Sequence, residues 1–309
     1  MMGTARAVFA VTAVLMCGVV STAEAVPAAS LRDTQCGSLA PALGGLPATS
    51  SFGRAGQREP SAWKNPPIEE APSRPGGFTA TIPVYFHVFT SGSEGRLSAT
   101  VLQRQIDVLN AGFGGREGGV ATGFRFTYAG VDYTDNATWF NALDPGTSVE
   151  RTAKAATHVG DAHVLNVWTT NGPSYLGFAT FPSWYKRSPQ LDGIVLDYKS
   201  FPGGPYGDQY SLGKTATHET GHWLGLLHTF QGACNAKGDY VDDTPAEATP
   251  TNGCPAGKDT CTAPGTDPIH NYMDYSYDSC YDQFTADQTQ RIHDQWAYFR
   301  ADGGHAVGG

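Results

Sequence analysis

The chain predicts an α/β fold built on a mixed, twisted sheet, followed by a loop-rich C-terminal part that ends in a helix. Three observations point there. Segments rich in β-branched and aromatic residues alternate with segments of helical apolar spacing from about residue 78 to residue 224. One candidate strand has glycine and proline at its ends, as an edge strand has. Beyond residue 230 all periodicity is lost in a stretch rich in Asp, Gly, Pro, Thr and Cys, until one last capped helix begins.

Composition narrows the class. A chain of 309 residues that is 40% hydrophobic can bury a core, and a net charge of −9 disfavours nucleic acid or an anionic membrane as partner. The N-terminus reads as a secretory signal over residues 1–25: Arg6, the apolar run Ala7 to Val20, then Ala23-Glu24-Ala25 at the cleavage positions. That run is too short to span a membrane, so a secreted, extracellular protein is expected; the expected state is a monomer. Residues 26–77 are punctuated by Pro27, Pro41, Pro47, Pro60, Pro66, Pro67, Pro72 and Pro75 and read as a pro-segment or disordered linker.

From Phe78 onward the elements are expected in order, as one domain over residues 78–309. Thr81 to Phe89 alternates as a strand with Val84, Phe86 and Val88 on one face and His87 on the other, where a partnered strand histidine is expected. Ser98 is an N-cap for a helix whose apolar side is Val101, Leu102, Ile106, Leu109 and Phe113. Phe124 to Tyr128 is a second strand, Asn136-Ala137-Thr138 a glycosylation sequon, and Ser148 to about His158 a second helix. His163 to Trp168, Gly177 to Pro182 (the edge strand) and Asp192 to Asp197 complete the strands. A helix over about 212–224 closes an N-terminal subdomain (about 78–225). The C-terminal subdomain (about 226–300) ends in a helix begun by Thr285 and Gln288, a capping box, with Ile292, Trp296 and Phe299 inward.

The helix over 212–224 opens the stretch that carries chemistry, His218-Glu219-Thr220-Gly221-His222-Trp223-Leu224-Gly225-Leu226-Leu227-His228. Residues at i and i+4 share a helix face, so His218 and His222 can hold one metal ion between adjacent turns. Glu219 lies about 100° round the helix from His218 and can lean over the metal's open side without ligating it. On a continued helix His228 would sit roughly 15 Å beyond His218. Gly225 can take the left-handed conformation that ends the helix and turns His228 back. Three imidazoles leave a fourth position for water, the arrangement of a catalytic zinc.

This pattern, HExxHxxGxxH, resembles the metzincin metallopeptidases, and Asn271-Tyr272-Met273-Asp274-Tyr275 resembles their Met-turn. Thr229-Phe230, Gly238 to Pro245, Leu176 to Pro182 and Tyr275 to Cys280 are similar to the pappalysin family within that clan, in its compact secreted microbial form. The resemblance runs from about Ile82 to Tyr298. It implies a metzincin-type catalytic domain and a secreted zinc endopeptidase acting on protein or peptide substrates, made as a zymogen. Glu219 is the general base in that scheme, Met273 forms a floor beneath the metal, and Tyr275 hydrogen-bonds the oxyanion.

Removal of the signal leaves Cys36, Cys234, Cys254, Cys261 and Cys280. The last four read as two disulfides of open connectivity in a secreted chain. The family pattern implies Cys234–Cys261 and Cys254–Cys280, each closing a loop worth about 3 kcal/mol by chain entropy. Cys36 is a candidate latency switch, its thiolate able to take the water's place on zinc; the family's usual preceding Arg is Gln35 here. Asp239, Asp242, Asp243, Thr244 and Glu247 offer hard oxygens in a turn, and resemblance to calcium-binding kin implies a structural Ca²⁺ there. Asp278 and Asp282 near the Met-turn would favour a basic residue just past the scissile bond. Two other readings compete: a secreted zinc-binding protein of this fold without hydrolysis, and a zinc amidase acting on a non-peptide substrate.

Overall fold

The computed structural model describes residues 69–74, 77–172, 175–235 and 237–301. The expected signal peptide, Cys36 and most of the expected pro-segment lie outside the described residues.

Eleven elements organise the described part. They are β1 (Ala80–Thr90), α1 (Ala99–Gly112), β2 (Phe124–Asp135), α2 (Ala137–Ala142), α3 (Ser148–Thr157), β3 (Leu165–Thr170), β4 (Gly177–Ala179), β5 (Ile194–Asp197), α4 (Gly207–Tyr210), α5 (Lys214–Trp223) and α6 (Ala286–Phe299). The strands form one sheet in the order β2-β1-β3-β5-β4. β1, β2, β3 and β5 run parallel and β4 is antiparallel to β5, so the sheet is mixed, as expected.

Each face of the sheet carries its own core, because alternate side chains of a strand point to opposite faces. On one face Ile82, Val84, Phe86 and Val88 of β1 meet Leu102, Ile106 and Leu109 of α1, Trp223 of α5 and Ile292 of α6. On the other, Phe89, Trp168, Phe178 and Val195 pack with Phe140 of α2 and Ala153 of α3. His87 is fully buried there against the Trp168 ring, and its two nitrogens meet Asp132 (2.6 Å) and Asn166 (3.0 Å). It is a partnered strand histidine.

Three elements differ from expectation for local reasons. β2 runs seven residues past Tyr128, in register with β1 up to Asp135 opposite Thr90. That extension is half-exposed on both faces, so it shows no hydrophobic alternation to read. Helix α2 follows Asn136, whose side chain accepts from Trp139 N, so the sequon asparagine doubles as an N-cap. β4 stops at Ala179 because Pro182 opens a 3₁₀ turn.

Two distant ties close the fold around α5. Arg300, fully buried just past α6, forks onto Asp192 (2.8 and 3.0 Å) and stacks 3.7 Å above the Trp223 ring. Residues 69–74, the end of the expected pro-segment, run along α6. Glu70 pairs with Arg291, whose Nε donates to Gly225 O (2.9 Å).

Candidate active site

Helix α5 begins at Gly213 (φ +86), where the Asp278 carboxylate accepts from Leu212 N (3.0 Å) and Lys214 N (3.2 Å). Every residue of this helix is buried, although it carries two histidines and a glutamate. Burial of so many polar groups requires that each be partnered. The Nδ1 of His218 donates to Tyr272 O (2.6 Å) and that of His222 to Leu226 O (2.8 Å). A carbonyl can only accept, so both protons sit on Nδ1 and both Nε2 lone pairs face inward.

Gly225 adopts φ +106, and Leu226 N bonds back to Gly221 O (2.9 Å). This reversal carries His228 to the other two. The three Nε2 atoms lie 3.0, 3.1 and 3.2 Å apart. Three buried imidazole nitrogens so close, two of them acceptors, make a ready seat for a cation, and imidazole nitrogens suit zinc.

Two glycines set the distances around this centre. Gly221 sits against Met273 Sδ, so the Met-turn methionine packs under the helix where any side chain would collide. Gly177 of β4 faces Glu219: a Cβ there would meet Glu219 Cγ at 2.8 Å and Val195 O at 3.0 Å. Gly177→Ala is therefore expected to push the carboxylate aside. Displacement of about 1 Å at a reacting group costs roughly 100-fold in rate. Peptide kinetics beside zinc analysis would show kcat falling while metal content holds; an unchanged kcat would mean that Glu219 does not need this seat.

The aromatic shell is close. Tyr275 lies 4.9 Å from the His228 ring and 5.7 Å from His218, while Phe230 stacks on His228 at 4.7 Å. Phe181, just past β4, covers His222 at 5.4 Å. Gly177, Gly221 and Phe181 carry no local signal that marks them as parts of the site; Gly221 within the motif is the nearest to one. A further tie was invisible in sequence: Glu117 meets both Lys214 and the hydroxyl of Tyr272, whose carbonyl holds His218.

The C-terminal loop holds two disulfides, Cys234–Cys261 and Cys254–Cys280. The five expected calcium ligands do not stay together. Asp239 and Thr244 are joined, both carboxylate oxygens lying 2.8 Å from the threonine hydroxyl. Asp242 lines an open cavity of about 430 Å³ beside Arg291, and Asp243 accepts from Asp287 N at the start of α6. Glu247 lies in a separate buried cluster, where its carboxylate pairs with the Lys258 ammonium. Asp278 is likewise spent on the start of α5, and the Asp282 side chain lies against Gly118.

Residues 158–297, which span all three histidines and the Met-turn, match the model of the peptidase family M43, described as pregnancy-associated plasma protein-A. An extracellular metalloprotease of Pyricularia oryzae is 44% identical over 226 residues, covering 72% of this chain and 76% of that protein. The chain belongs to the pappalysin family. Another pappalysin-like relative, an extracellular metalloprotease of Neurospora crassa, is 41% identical over 236 residues, covering 72% of this chain and 77% of its own. The fold of this pappalysin is similar to mature mirolysin of Tannerella forsythia in complex with a cleaved peptide. The TM-score there is 0.61 at 29% identity, over 74% of this chain and 94% of that one. Mirolysin in complex with compound 9 gives 0.62 and 28%, over 74% and 94%. The pappalysin is thus a metalloendopeptidase of metzincin fold, from a family whose metal is zinc.

Proposed function

We propose that this pappalysin acts outside the cell as a monomeric endopeptidase that cuts extended protein or peptide segments, with His218, His222 and His228 holding the zinc. The convergence of three buried Nε2 atoms within 3.2 Å carries this reading. Bound zinc would supply Lewis acidity, polarising the scissile carbonyl and bringing the pKa of water toward ~7. Glu219 takes the proton of the attacking water on its carboxylate and passes it to the leaving amine. Tyr275, at the rim of the three histidines, donates its phenol hydrogen to the developing oxyanion. β4, the terminal strand of the sheet, lies beside Glu219 through Gly177 and aligns the substrate in extended form.

The direct test is casein digestion with 1,10-phenanthroline and then with added zinc. Cleavage is expected to stop and then return; digestion that continues with the metal removed would end this reading. Among the described residues no helix is long and apolar enough to cross a membrane.

Asp239 and Thr244 support a structural calcium ion. The Asp239 carboxyl is buried, and burial pushes it up to about 7, a cost that a divalent cation would offset. Melts with calcium and with EGTA are expected to differ by several degrees, since a ligand bound at ~100 times its dissociation constant adds about 2.7 kcal/mol. Coincident melts would remove calcium from the account.

A further inference from the structure

Lys258 lies between Cys254 and Cys261, in a stretch the sequence marks only as loop. Its ammonium sits in a cage of four oxygens: Glu247 Oε1 at 2.5 Å, Thr249 O at 2.5 Å, Asp267 Oδ2 at 2.9 Å and Thr251 Oγ1 at 3.1 Å. Lysine has three donors and a compact charge, so a cage of this kind uses it as an internal cation. Glu247, Asp267 and Thr251 are buried, so water cannot replace the ammonium cheaply.

The cage is joined to the site on two sides. The second oxygen of Glu247 accepts from the hydroxyl of Thr229 (2.6 Å), the residue next to His228. Thr229 N donates to Met273 O (3.3 Å), so this residue also ties the third histidine to the Met-turn. On the other side Thr251 N donates to Asp274 Oδ1 (3.0 Å), which also accepts from Tyr275 N (2.7 Å). One ammonium thus holds a carboxylate bonded to Thr229 and a threonine bonded to Asp274, the chain neighbours of His228, Met273 and Tyr275. The disulfides fix the segment that delivers it, since Cys234–Cys261 and Cys254–Cys280 bracket residue 258.

We propose that Lys258 is a positioning residue of the catalytic centre. Its ammonium orients Glu247, and Glu247 through Thr229 sets where His228 presents Nε2. This rests on the reading of His228 as a zinc ligand. The link runs from Lys258 to Glu247 to Thr229, the chain neighbour of His228. A partner bonded directly to a metal ligand typically costs about 10–100-fold in metal affinity or activity when removed, so this more remote link is expected at the lower end of that range.

The experiment is competition between the mature protein and a chromophoric chelator for Zn²⁺, run beside thermal melts and peptide kinetics. Lys258→Met is expected to bind Zn²⁺ about tenfold more weakly and to lose kcat with KM unchanged. Thr229→Val keeps the side chain's shape, leaves Glu247 paired with Lys258, and cuts the same link if Lys258→Met fails to fold. It is expected to weaken Zn²⁺ binding about tenfold. Zn²⁺ affinity equal to the parent's in Thr229→Val, or in folded Lys258→Met, would overturn the proposal, even if the melting temperature fell. His228→Ala separates the two levels. If it binds Zn²⁺ as the parent does, the three-histidine reading itself fails; if it alone loses affinity, only the role of Lys258 does.

Discussion

Glu219→Ala is expected to abolish peptide cleavage while leaving the fold and the zinc content intact. The carboxylate is buried beside the histidines and packed on Gly177, yet the three converging nitrogens come from other residues. Its loss should therefore spare the metal. A general base contributes about 10²- to 10⁴-fold, so kcat should fall by that factor or more. Cleavage of a quenched-fluorescent peptide, with zinc measured by atomic absorption on the same sample, decides it. A variant that kept zinc and the parent's kcat would move the base to another group; one that lost zinc would make Glu219 structural.

Loss of the Arg300 guanidinium should cost several kcal/mol of stability. Arg300 and Asp192 are both fully buried. Asp192 also accepts from Trp223 Nε1 (2.9 Å) and Thr180 Oγ1 (3.0 Å), and Arg300 donates to Trp223 O (3.0 Å) and Ala162 O (3.1 Å). The cluster joins the end of α5 to the turn before β5, the segment after β4 and the end of α6. Arg300→Met would leave the buried Asp192 without its counter-charge, at a cost of about 3–5 kcal/mol. At roughly 2–4 °C per kcal/mol for a domain of this size, melting should fall by about 6–20 °C. The double variant Arg300→Met with Asp192→Leu removes both charges and should recover part of that loss. A single variant melting within a degree or two of the parent would show that water reaches the pair.

How much of this was legible depended on sequence distance. The zinc helix, the turn at Gly225 and the capping box at Thr285 use groups three to six residues apart, so spacing reports them directly. The Met-turn and the disulfide pairing were reached by resemblance, because no local rule joins residue 273 to residue 222 or chooses among three cysteine pairings. Glu247 was placed with Asp239 because they are near in sequence and share a charge. The fold separated them by bringing Lys258 up to one and Thr244 to the other. The seven extra residues of β2 and the six of α2 went unseen for the opposite reason: one is half-exposed on both faces, the other too short for a period to show.

The sequence by itself determined the chemistry of the centre: three imidazoles and a carboxylate in one motif, with a glycine to bend it. Helix geometry and the freedom of glycine act over a few residues, and no distant contact is needed to read them. Only the tertiary structure decided what packs around that centre: Gly177 under Glu219, Met273 under Gly221, the Glu247–Lys258 pair behind Thr229, and Arg300 at the end of the helix. Those contacts join residues about 30 to 80 positions apart. Burial makes them strong, and burial belongs to the folded chain alone.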